Sequence, residues 1–357
     1  MMMTKKRVVY LEFLRMISIF AVIIIHVSAI YLRNYEIGTC TWNIANVYNS
    51  ITRFCIPLFF MISGAVFLEI KGSISIKEML NKYVKHMLFV LVIWGIFYYF
   101  FDLWVNGHTS SIKSFLLLFF NLLSGNTGYH LWFIYELIVI YCIIPVLQNI
   151  VKILERREIE YLIFLFFVFE SSIGLLNELC QTIPLLDSLV NINFSLPLFS
   201  KYIFCLIIGY YLSHFDVSKK ITRLIYFLSI IFIFVMPIGN YLLSVFLNST
   251  INVISMDTGI FSMTIAVGLF LLCKQKENSL MEIKGSKYII AIGRNVFGIY
   301  LIHVFVNSII FKVLNVSDIL ALNVIFEMLF LSLFVFFVSL FLIILMKKSK
   351  VLSNLVR

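Results

Sequence analysis

The sequence predicts an all-α integral membrane protein: a single bundle of about ten transmembrane helices with both termini in the cytoplasm. Three observations predict it. Of the 357 residues, 62% are hydrophobic and 13% charged, whereas an average soluble domain is about one-quarter charged and just under half apolar. Apolar runs of the ~20 residues needed to cross a bilayer recur along the whole chain. The Lys and Arg residues between those runs concentrate on alternate connections, as they do when cytoplasmic and external loops alternate. With 37 Phe and 18 Tyr but only 5 Pro and 15 Gly, a disordered or collagen-like chain is excluded.

Ten spans are expected, at 10–32, 44–69, 83–104, 129–150, 159–177, 197–213, 222–245, 256–274, 288–312 and 319–346. The first has a rival reading as an export signal, because Lys5, Lys6 and Arg7 precede an apolar run ending in Val27-Ser28-Ala29. Glu12, Arg15 and His26 interrupt that run in a way an export signal does not need, so it reads as a retained helix. The run 112–123 is too short to span and reads as an interfacial or re-entrant segment. The sixth span is the weakest, with Pro197 and Lys201 at its start. No linker, repeat or low-complexity tract divides the chain, which leaves a short N-terminus (1–9), one membrane domain (10–346) and a basic C-terminus (347–357).

The cations test this layout. Lys and Arg number three before the first span, four in 71–85, three in 152–157, three in 219–223, four in 274–287 and four in 347–357. That puts 21 on one side, against Arg33, Lys113, Lys201 and Lys312 on the other. Such a split is a positive-inside signal and sets both termini in the cytoplasm. The net charge of +10 is therefore mainly an orientation signal and not a nucleic-acid footprint. The six Cys lie scattered, mostly in apolar runs, without CxxC or a His at ligand spacing. They read as small core hydrophobes, not as a metal site or disulfide frame.

Three of the 28 Lys and Arg stand inside spans: Arg15, Arg53 and Arg294. Each costs about 2.5–3.5 kcal/mol on insertion scales and needs a compensating reason. Arg15 and His26 are eleven residues apart, a net rotation of about 20° and a rise of about 16 Å on a helix. They share one face near opposite ends of the first span. Glu12 precedes Arg15 by three residues, close enough to pair with its guanidinium. In the second span, Pro57 leaves the carbonyl of Arg53 without its helical partner, which predicts a kink at the arginine itself. A cation beside a broken helix suits a buried anion or substrate site; the structural alternative is a packing kink with Arg53 reaching a carboxylate such as Glu136. The fourth span opens with His130-Leu131-Trp132-Phe133, which alone reads as an interfacial aromatic belt. In the ninth, Arg294 enters at the cytoplasmic face, while Tyr300 and His303 share a face three residues apart. A phosphate at the cytoplasmic mouth would find Arg15 and Arg294 as partners, since the guanidinium fork suits that geometry.

Taken together, Leu11-Glu12-Phe13-Leu14-Arg15 with His26, the Pro57-to-Ser63-Gly64 segment, His130-Leu131-Trp132-Phe133 and Ile299-Tyr300-Leu301-Ile302-His303 resemble the acyltransferase 3 family. Its members are membrane-bound acyltransferases, many of them bacterial O-acetyltransferases of surface sugars. The resemblance implies a multi-pass protein of the bacterial cytoplasmic membrane that uses acyl-CoA, most simply acetyl-CoA, as co-substrate, with no permanently bound cofactor and no metal. In the family the first-helix arginine and histidine are essential and linked with acyl-CoA use; they correspond to Arg15 and His26. The acidic position before the arginine is commonly Asp and is Glu12 here. Many relatives carry an extracellular hydrolase-like domain; none follows in this sequence, which implies direct transfer or hand-over to a partner such as a polysaccharide-assembly protein.

The resulting expectation is a catalytic set of His26 as general base, Arg15, Glu12 and Arg53, a donor-binding pair in Arg15 and Arg294, and acceptor contacts from His130, Trp132, Tyr300 and His303. The acceptor would be a glycan or a lipid-linked sugar. The rival class is a transporter or flippase of a surface-polymer intermediate or small acid, with the same buried cations as its substrate site. No second-half partner for the Arg53–Pro57 kink is visible in the sequence, which counts against it. A membrane sensor or assembly subunit is a third reading and predicts neither turnover nor flux.

Overall fold

The computed structural model describes residues 8–69, 73–105, 128, 130–183, 201–313 and 323–356. Among these no strand occurs, and eight helical runs, the second of them interrupted by a turn at 52–54, are long and apolar enough to cross a membrane. In chain order the helices are α1 (Val9–Asn34), α2 (Cys40–Ile51), α3 (Cys55–Phe67), α4 (Ile76–Val105), α5 (Trp132–Ile153), α6 (Arg156–Thr182), α7 (Tyr202–His214), α8 (Lys219–Leu247), α9 (Ile260–Gln275), α10 (Glu277–Glu282), α11 (Ser286–Gly293), α12 (Val296–Val313), α13 (Val324–Met346) and α14 (Lys350–Ser353). The expected sixth and eighth spans correspond to α7 and α9, which are apolar but shorter than the other eight. The run 112–123 lies outside the described residues.

Two expected spans are broken. In the second, α2 ends at Ile51 and α3 restarts at Cys55, so the chain makes a turn where a kink was expected. Pro57 stands inside the first turn of α3, where its missing N–H has no helical partner to lose. The turn is held locally: the Thr52 hydroxyl donates back to the carbonyls of Tyr48 (2.7 Å) and Asn49 (3.3 Å), filling acceptors that a helix end leaves open. In the ninth, α11 stops at Gly293 and α12 begins at Val296, with Arg294 and Asn295 in the break. The sequence offers no proline there to announce it. The second half therefore does contain a broken span at an arginine, which the sequence alone did not reveal.

The chain forms two compact units. Unit 1 comprises Met1–Ile70, Val151–Arg294 and Asn323–Leu333; unit 2 comprises Lys71–Ile150, Asn295–Leu322 and Phe334–Arg357. In unit 1, α3 and α7 pack backbone to backbone through reciprocal glycines. A Cβ on Gly64 would overlap the Leu206 carbonyl, and one on Gly209 would overlap that of Met61. Small residues permit this approach where lipid supplies no hydrophobic drive between helices. Also in unit 1, polar side chains lock α2 to α8. Asn46 Nδ2 donates to the Pro237 carbonyl at 2.8 Å, and Asn240 Nδ2 donates to Ser50 Oγ at 3.0 Å and Ser255 Oγ at 2.8 Å. All of these polar residues are buried and paired, as groups in a dry interior must be. In unit 2, Trp94 Nε1 of α4 donates to the Leu355 carbonyl, and Gly298 of α12 packs against Ile343 of α13.

Candidate functional site

The N-terminal part of α1 carries the first cluster. Glu12 is 3% exposed and its Oε1 accepts a 2.8 Å hydrogen bond from Arg15 Nη1, whose side chain is 27% exposed. A buried carboxylate needs such a partner, and among the described residues the pairing engages only Nη1 of the arginine's fork. The last residue of α11 lies directly against this pair: a Cβ on Gly293 would overlap Glu12 Oε2 and stand 2.9 Å from Glu12 Cβ. Arg294, next in sequence, is exposed at the end of α11. Glu12, Arg15 and the Gly293-Arg294 corner are thus brought together in unit 1. Gly293 is a positioning residue that sequence reasoning missed, because its requirement for a bare Cα arises from a contact 281 positions away in the chain.

Along the same helix, His26 is half-buried. Because α1 runs unbroken from Val9 to Asn34, the eleven-residue spacing from Arg15 translates into one face and about 16 Å of rise.

Arg53 occupies the turn between α2 and α3, and its guanidinium is held from two sides. Nε and Nη2 donate to Asn49 Oδ1 at 3.2 and 2.9 Å, and Nη1 lies 3.6 Å from Asp257 Oδ1 in the connection between α8 and α9. Both partners were missed. Asn49 lies one helical turn before Arg53 and is an ordinary polar residue in sequence. Asp257 is 204 positions distant and carries no motif. Lys201, at the start of α7, is within electrostatic range of Asp257, so a second cation faces that carboxylate.

Unit 2 brings together three of the four residues expected on the acceptor side. His130, Tyr300 and His303 are buried, with ring centroids 5.7 Å apart for His130–His303 and 5.8 Å for His130–Tyr300. The Tyr300 hydroxyl donates to the His130 carbonyl, and His303 Nδ1 sits 2.6 Å from the Tyr300 carbonyl. Tyr98 completes the cluster: its ring meets His130 edge-on at 4.5 Å, and its hydroxyl donates to the Leu301 carbonyl and accepts from the Phe305 N–H. Trp132 begins α5, is half-buried and packs edge-on with Phe133 at 6.1 Å. Among the described residues no group of three His, Cys, Asp or Glu is placed to hold a metal ion.

Long apolar helices that bury ionisable side chains such as Glu12, His130 and His303, with arginines at two helix breaks, define a multi-pass membrane protein. A family model described as an acyltransferase domain matches residues 8–346, nearly the whole chain, and the protein belongs to that family. No curated protein and no solved structure matches it. The family assignment makes it a membrane acyltransferase.

Proposed function

We propose that this acyltransferase moves an acyl group, acetyl first among candidates, from cytoplasmic acyl-CoA to a hydroxyl of an extracytoplasmic or lipid-linked sugar. It works in a bacterial plasma membrane with both termini inside, and polysaccharide-assembly proteins are candidate partners. The observation that carries the reading is the unbroken α1 with Arg15 and His26 on one face and Glu12 gripping Arg15. That arrangement joins an anion-binding end to an imidazole at a depth suited to a substrate with phosphates at one end and a thioester on a flexible arm at the other. Arg15 and Arg294 hold the phosphates. His26 takes the proton from the acceptor hydroxyl as its oxygen attacks the thioester carbonyl. Arg53 stabilises the oxyanion that forms. When that intermediate collapses, the C–S bond breaks, the ester remains on the acceptor, and the imidazolium returns its proton to the leaving thiolate. His130, Trp132, Tyr300 and His303 are the proposed acceptor contacts, the aromatic faces suiting a sugar ring.

His26→Ala in membranes supplied with labelled acetyl-CoA is the direct test, and loss of label from cell-surface glycan is the expected result. Full transfer by His26→Ala would sink the mechanism. The second broken span, at Arg294, keeps a transporter or flippase as the alternative, since broken helices are how such proteins build substrate sites. Consumption of the thioester by purified protein separates the two, because a transporter consumes none.

A further inference from the structure

The amide of Asn49 uses its full hydrogen-bonding capacity. Its Nδ2 donates at 3.1 Å to the Ile25 carbonyl and at 3.1 Å to Ser28 Oγ, both on α1. Its Oδ1 accepts from Arg53 Nε and Nη2. A side-chain amide has two donors and two acceptor lone pairs, and all four are spoken for. Asn49 is 1% exposed, so no water competes for these positions. Ser28 Oγ is itself tied to the Ile24 and Ile25 carbonyls, so the α1 side of the bridge is fixed as well. The Arg53 guanidinium therefore stands one side chain away from the backbone of Ile25, the residue immediately before His26. A buried amide that served only to join α1 to α2 would not need its oxygen on a cation, and one that served only to neutralise Arg53 would be better as a carboxylate.

We infer that Asn49 is a positioning residue for the transfer reaction: it fixes the Arg53 guanidinium relative to the His26 turn of α1, so that general base and oxyanion-stabilising group keep their spacing. Asp257 braces the far side of Arg53 at 3.6 Å. The inference rests on the reaction proposed above. Its test is Asn49→Asp, which keeps an oxygen for Arg53 and adds a charge to hold it, but removes both N–H donors and sets a carboxylate against the Ile25 carbonyl. Two outcomes are expected in membranes with their endogenous glycan and labelled acetyl-CoA. The maximal rate of transfer falls about tenfold or more with KM for acetyl-CoA within about twofold of wild type, the pattern of a group that acts only in the transition state. In an Arg53→Ala background the same Asn49→Asp change costs nothing further, because a residue that acts through Arg53 has nothing left to position. A wild-type maximal rate in Asn49→Asp overturns the inference, as do losses that multiply in the double variant. Ser28→Ala, which removes one α1 anchor of Asn49 without a new charge, covers the case in which Asn49→Asp does not fold: a smaller loss of maximal rate at unchanged KM is expected, and an unchanged rate overturns the inference. If wild-type protein consumes no acetyl-CoA, the reaction itself is wrong and the inference falls with it; consumption by wild type with a normal Asn49→Asp rate rejects the inference alone.

Discussion

Among the described residues Arg15 is gripped by Glu12 through Nη1 at 2.8 Å, which leaves the other edge of its planar fork to meet a phosphate. Lysine would supply the charge at the same place but as a single rotating ammonium, without the paired donors that match a phosphate edge. Arg15→Lys is therefore expected to raise KM for acetyl-CoA about tenfold or more while protein yield stays normal; a wild-type KM in this variant would remove Arg15 from donor binding. Gly293 makes a separate prediction from the other side of the same cluster. Because a Cβ there overlaps the Glu12 carboxylate, Gly293→Ala forces α1 and α11 apart or turns Glu12 away from Arg15. Overpacking of this kind costs typically about 1–3 kcal/mol. A lower Tm in detergent together with a higher KM for acetyl-CoA is expected, and an unchanged pair of values would show that the contact does not govern the donor end.

At the scale of helices, α3 and α7 test how tightly unit 1 is built. Gly64 and Gly209 each face a carbonyl of the opposite helix, so alanine at either position meets rigid backbone and not a side chain that can swing aside. Gly64→Ala and Gly209→Ala are each expected to lower Tm clearly. The double variant should cost less than the sum of the two, because once the helices have separated for one methyl they have room for the other. Strict additivity would mean that the two contacts are independent. The same pair shows what the sequence discloses and what it does not. Spans were legible in large part because hydropathy is a local property: eight of the ten expected apolar runs coincide with helices long and apolar enough to cross a membrane, and the other two with shorter apolar helices. The turn at Arg53 was half legible, since Pro57 predicts an interruption but not that α2 ends at Ile51 with Thr52 bonding back to Tyr48 and Asn49. The break at Arg294-Asn295 was not legible, for no proline marks it. Residues whose roles depend on distant chain were missed in the same way: Asn49 acts on Ile25, and Asp257 on Arg53, and no spacing rule connects positions on different helices. Glu12 and Arg15, three apart on one helix, could be paired from spacing alone.

For the molecule as a whole, the proposed direction of transfer depends on which way the spans face. The concentration of 21 Lys and Arg on one set of connections and four on the other predicts that the α1–α2 connection lies outside. Cys40, the first residue of α2, has an exposed free thiol beside that connection and so provides a natural reporter. In a protein that retains Cys40 as its sole cysteine, a membrane-impermeant maleimide is expected to label intact cells. A sole cysteine introduced as Ser349→Cys, between α13 and α14, is expected to react only after the membrane is permeabilised. The opposite pattern would turn the protein over. Arg15, Arg294 and the Glu12 cluster would then face away from the compartment that holds acyl-CoA, and the donor site proposed for them would have no donor to bind.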